Sequence, residues 1–218
     1  MGMIEVWQGV LTKPKETFAS EKPRASLGEG IKHYVVASLI GWFIAWVFIT
    51  FLAPVVYPQA AALQALLKAF SDISLLALPF NLILGTIVYL AVVGLMHVIA
   101  KVLGGTGSYE QMFYLMAITG AALTVVGAFL RVILAVLVQL GPAVFIISLL
   151  FGLYALYVLV QAIKVAHSFS ALRALAVVLL PAIIIILLFI LFAFTILASL
   201  ASFLGALASQ GALPPAAR

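Results

Sequence analysis

Five long apolar runs, nearly free of charge, constrain this chain more than any other feature. They cover about residues 34–56, 74–100, 111–138, 142–163 and 171–207. A helix needs about 20 apolar residues to cross roughly 30 Å of hydrocarbon. Any other lipid-facing backbone would leave its amides unpaired, so each run is expected to cross as a helix. The expected fold is an all-α integral membrane protein: a bundle of five transmembrane helices with an N-terminal amphipathic interfacial helix. Composition agrees, since 67% of the 218 residues are hydrophobic and 8% charged, where a soluble domain carries about 25% charged residues.

The punctuation between the runs sets the expected organisation. Lys101 closes the second run, and Pro142 and Lys164 bound the fourth. The third and fourth are separated only by Gln139, Leu140 and Gly141, a tight hairpin. Residues 171–207 would be about 55 Å long if straight. Pro181 removes a backbone donor inside that run, so one bent helix or two pieces are expected. Arg131 lies about 30 Å along the axis from Gln111, at an interface and not at the bilayer centre.

Cations set the orientation. Lys13, Lys15, Lys22, Arg24 and Lys32 precede the first run; Lys101, Lys164 and Arg173 fall on the same side, against Lys68 and Arg218 on the other. Residues 1–33 are therefore expected to form a cytoplasmic arm, 34–207 the membrane domain, and 208–218 a short extracytoplasmic tail. The expected location is the cell membrane, or a Golgi or endoplasmic-reticulum membrane in a eukaryote. The net charge of +5 is too dispersed for a nucleic-acid surface. The first residues are not expected to be a secretory leader, because Lys13, Lys15, Glu16 and Lys22 interrupt them.

Residues 3–21 read as two short interfacial helices. Ile4, Trp7, Val10 and Leu11 form one apolar stripe, Pro14 suits the first position of the second helix, and Phe18 lies on its apolar side. Residues 59–70 read as another amphipathic helix, on the outer surface, with Leu63, Leu66, Leu67 and Phe70 on one face. Ala117, Gly120, Ala121, Thr124, Gly127 and Ala128 give the third run small-xxx-small spacing, suited to close packing within the bundle or to a homo-oligomer.

Gly104-Gly105-Thr106-Gly107-Ser108-Tyr109 joins the second and third runs. Its glycines permit a tight reversal, and Ser108 or Thr106 can cap the next helix. No strand precedes it and no Lys-Ser/Thr pair follows, so phosphate-loop and dinucleotide readings fail. The stretch Ala100–Tyr109 resembles the junction between the second and third spans of the Yip-domain family (Ypt-interacting proteins), which shows Gly-Gly-x-Gly-[Ser/Thr]-aromatic there. Lys164-Val-Ala-His167-Ser168-Phe-Ser170-Ala171-Leu-Arg173-Ala174 is similar to the family's link into the last span. In the eukaryotic trafficking branch, the resemblance implies binding of prenylated Rab-type GTPases. This chain lacks that branch's Asp-Leu-Tyr-Gly-Pro motif and the proline often found in the third span, and reads as a prokaryotic member.

Little chemistry is expected inside the membrane. There is no cysteine, hence no disulfide or thiolate site. Glu110 and Asp72 read as helix-start carboxylates. His33, His97 and His167 fall near the same ends of their helices but without a ligand period, so no metal and no cofactor are expected. Without a triad or a paired intramembrane acid, the chain reads as a non-enzymatic scaffold that meets lipid and a cytoplasmic protein partner, of GTPase type by family analogy. The expected contacts are Trp7, Lys13 and Phe18 in the arm. Gly104, Gly105, Gly107, Ser108 and Tyr109 follow in the loop, and His167 and Arg173 in the link. The alternative is a small-solute permease, channel or transporter subunit, with Pro79, Pro142 and Pro181 loosening spans and Asn81, Gln139 and Gln161 lining a path.

Overall fold

A computed structural model describes residues 2–58, 61–138 and 141–209. Gln139 and Leu140 of the hairpin, Gln59 at the start of the outer amphipathic stretch, and the tail from residue 210 lie outside the described residues. The elements are α1 (Met3–Thr12), α2 (Pro14–Glu21), α3 (Leu27–Val47), α4 (Ala53–Val56), α5 (Ala61–Val102), α6 (Tyr109–Val136), α7 (Pro142–His167) and α8 (Ala171–Ser209). Among the described residues there is no strand. Five segments are long and apolar enough to cross a membrane: Leu27–Val56, Gln64–Val102, Tyr109–Val136, Pro142–His167 and Ala171–Ser199. The protein is an all-α, multi-pass membrane protein.

Met1–Val177 forms one compact unit and Val178 onward a second. In the first, α6 is the hub, with α1, α3, α5 and α7 packed against it. Its residues from Met112 to Ile118 are buried, as are Ala121, Ala122 and Ala128. The small residues of α6 let its neighbours close in. A Cβ added at Gly41 would lie 3.1 Å from Thr124 Cγ2, and one at Gly120 would lie 3.3 Å from the Tyr89 hydroxyl. The second unit is the distal part of α8, where Phe189, Leu191, Phe192 and Phe194 are all exposed. A helix apolar all round suits hydrocarbon as its solvent. Pro181 lies inside α8, which is one element to Ser209.

The first span contains a feature that periodicity does not announce. Between α3 and α4 the chain makes a π-helical turn, Phe48–Leu52. Pro54 has no N–H, and its ring would crowd the carbonyl four residues earlier, at Thr50. The wider turn absorbs that conflict without breaking the helix.

Residues 59–70 differ from expectation. From Ala61 they are no separate surface helix but the first turns of α5, continuous through Pro79 to Val102. Ala61 to Leu78 holds neither glycine nor proline, so nothing ends a helix there. Asp72 is accordingly not at a helix start; it pairs with Lys68 one turn earlier, 3.2 Å away. Glu110 does lie in the first turn of its helix.

Candidate functional site

Two helix ends meet to form the site. At the end of α5, Gly104 adopts φ +87°. The Gly105 N–H reaches back to the Ala100 carbonyl at 2.9 Å, and the Gly104 N–H to Lys101 at 3.0 Å. This paired pattern closes a helix through a left-handed residue. At the end of α7 a serine takes that role: Ser168 has φ +57°, and the Phe169 N–H bonds the Lys164 carbonyl at 3.1 Å.

The loop is then laid directly on the end of α7. Both the N–H and the hydroxyl of Thr106 donate to the His167 carbonyl, each at 3.4 Å. A Cβ at Gly105 would sit 2.6 Å from His167 Nδ1, and one at Gly107 would run into the Ala166 carbonyl. These two glycines are required by close approach, Gly104 by its dihedral. Ser108 caps α6 reciprocally with Gln111, with both bonds at 3.2 Å. The Tyr109 hydroxyl donates to the Leu90 carbonyl at 2.8 Å.

Beneath the loop His167 is 1% exposed, with Nε2 3.2 Å from Met112 Sδ. The His97 ring lies 5.1 Å from it, centroid to centroid. His33 stands elsewhere, between Trp7 and Tyr114. The three histidines therefore divide two and one. Among the described residues, no group of three His, Cys, Asp or Glu is placed to hold a metal.

The arm is pinned to the same end of the molecule. Pro14 is at the first position of α2, as its rigid φ favours. The Trp7 indole donates to His33 Nδ1 at 2.9 Å, and the Tyr154 hydroxyl donates to the Leu11 carbonyl. Lys22 Nζ donates to the Val165 carbonyl at 2.8 Å, a cation on the negative end of α7. The Tyr114 hydroxyl donates to Glu21 Oε2 at 2.6 Å. Glu21 is 3% exposed, and its second neighbour, Arg24, is 3.7 Å away. A cleft of about 380 Å3 opens here, lined by Glu21, Arg24, Glu29, Lys32, His33 and Tyr114 among others.

The expected contact residues separate by burial. Trp7, Phe18, Gly105, Gly107 and His167 point inward or are covered, so they fix the shape of this face without presenting a side chain on it. Lys13, Gly104, Ser108 and Arg173 are exposed, and Tyr109 is half-buried. The expected stripe on α1 is turned by about one position: Val6, Trp7 and Val10 are buried, whereas Ile4 is 66% exposed. Val6 replaces Ile4 because the face is chosen by α6 and not by the stripe's own symmetry. Glu21, Lys22, Met112 and Tyr114 also belong to this face; Lys22 and Glu21 carry no sequence signal beyond their charge, and only their long-range partners distinguish them.

Loop and link are the two stretches that carried the resemblance, and here they form one junction. A family model described as the Yip1 domain matches residues 9–194. The chain belongs to the Yip1-domain family. No curated protein and no solved structure matches it. In this Yip1-domain chain the matched range begins within the arm and runs through four spans into the fifth.

Proposed function

We propose that the protein is a non-enzymatic membrane scaffold. In this reading the end bearing the arm, the 104–109 loop and the 168–173 link faces the cytosol and docks a protein partner, of GTPase type by family analogy. The carrying observation is the junction itself: an exposed rim of Thr106, Ser108, Ser168 and Arg173 held rigid by a buried floor of His167, Met112 and the loop glycines. Pre-organised backbone at a loop lowers the ordering cost of binding. The excess of cations at this end supports a cytosolic placement, in a prokaryotic cell membrane by the motif departures noted above. Self-association through the small-residue face of α6 is not part of this reading, because Ala117, Ala121 and Ala128 are buried within the bundle.

A transport reading gains no support from the clefts. The cleft beside Glu21 and a second one, lined by Trp46, Thr50 and Lys68 at the far end of α3, share no lining residue.

Photocrosslinking tests the proposal. Probes replacing the exposed Thr106 and Arg173 in native membranes should capture the same protein, and a probe at Leu66, at the other end, should not. Adducts to lipid and to the protein itself alone, from both positions, would reject partner docking.

A further inference from the structure

The far end of α3 holds a second polar place that partner docking leaves unused. A cleft of about 550 Å3 opens between the π-helical turn and the first turns of α5, within the roughly 300–1,000 Å3 of ligand sites. Trp46, Ile49, Pro54 and Leu67 give it an apolar wall, and Lys68 and Asp72 stand at its rim. We propose that this cleft binds a phospholipid with an ethanolamine-type headgroup, its phosphate toward Lys68 and its ammonium toward Asp72.

Position argues for a lipid. The segment Gln64–Val102 is about 58 Å long, against roughly 30 Å of hydrocarbon. One end must overhang, and a charge at the bilayer centre is costly. Lys68 and Asp72 therefore put the overhang at this end, in the headgroup layer. Trp42 and Trp46 stack at 6.2 Å, and Trp46 turns an indole, the ring enriched among headgroups, into the cleft wall.

The cleft is also built in advance. Gln64 Nε2 donates to the Tyr57 carbonyl at 2.6 Å, tying α5 to the end of α4. The hydroxyls of Thr50 and Ser71 meet at 3.3 Å across its floor. The turn that holds Thr50 is the π-helical one, a distortion frequent at functional sites.

Charge then selects the headgroup. Lys68 and Asp72 are 76% and 64% exposed, and an exposed pair of this kind contributes little by itself. A zwitterion can open it and give each charge a partner. An ethanolamine ammonium offers Asp72 three N–H donors. A choline headgroup offers none, and a glycerol headgroup has no cation for Asp72.

The test equilibrates the purified full chain with equal amounts of phosphatidylethanolamine, phosphatidylcholine and phosphatidylglycerol and counts retained lipid by native mass spectrometry. Phosphatidylethanolamine should be retained about tenfold over either competitor. Lys68→Gln with Asp72→Asn should bring the ratio to about one, because charge-assisted pairing is then gone. Lys68→Arg should keep the preference, and both variants should melt with the native chain, since neither side chain is buried. Equal retention by the native chain, or a preference that survives in the neutral variant, overturns the proposal. So does displacement of the lipid by free phosphoethanolamine at millimolar concentration, which would mark a site for a soluble headgroup compound.

Discussion

Gly107 and Gly104 sit three residues apart and are glycine for different reasons, which substitution separates. At Gly107 a methyl group would enter the Ala166 carbonyl, and backbone cannot rotate away as a side chain does. Gly107→Ala must lift the loop off α7, loosening the Thr106 bonds to His167, at a cost of about 1–3 kcal/mol or more. At Gly104 a methyl group meets open space, so Gly104→Ala costs only the left-handed backbone, about 1–2 kcal/mol. Gly28 also faces open space, but within a helix with ordinary dihedrals. There alanine should be neutral or gain about 0.4–1 kcal/mol. Thermal melting in detergent should rank Gly107→Ala lowest, Gly104→Ala between, and Gly28→Ala at or above the native chain. At about 2–4 °C per kcal/mol the order is resolvable. If Gly104→Ala proved the worst of the three, the close approach of loop and α7 would not be what holds this face.

Among the elements, the arm is the one whose attachment rests on few, identifiable bonds. Glu21 is a buried carboxylate whose close donor is a single hydroxyl, that of Tyr114. Removing that hydroxyl leaves the acid in place and underbonded, which costs about 1–3 kcal/mol. The relief available is local: α2 can lift into water without unfolding the spans. Tyr114→Phe should therefore raise the open population of the arm by roughly 5- to 150-fold. Trypsin reads this, because Lys15 and Arg24 are cleavable, whereas Lys13 and Lys22 precede proline. Faster cleavage at Lys15 with an unchanged melting temperature is the expected result; unchanged cleavage would mean the other arm bonds suffice. Much of this layout was legible in the sequence. Apolar runs located the spans, Pro14 the start of α2, and Ser108 the cap of α6. The faces were not legible, because a stripe on α1 permits either Ile4 or Val6, and α6 decides. Nor was the merging of residues 61–70 into α5, since an amphipathic surface helix and the overhanging end of a long span have the same periodicity. The two motif stretches were legible separately, but their contact depends on where α5 and α7 end in space.

For the whole molecule, orientation in the membrane decides which surface meets the cytosol, because the proposed docking face and the lipid cleft lie at opposite ends of α3. The cation balance argues for the arm end. The exposed cations strengthen it. At the arm end Lys13, Lys15 and Lys101 are exposed and have no acid within salt-bridge distance among the described residues. Free cations are what the cytoplasmic leaflet, with its anionic lipid, attracts. The chain contains no cysteine, so single substitutions report cleanly. Cysteine at Lys101 or at Ser168 should react with a membrane-impermeant maleimide only after the cytosolic side is opened. Cysteine at Lys68 should react from outside in intact cells. If Lys101→Cys labelled in intact cells while Lys68→Cys did not, the docking face would look outward and the scaffold reading would lose its cytosolic partner, while the lipid cleft would remain, now facing the inner leaflet.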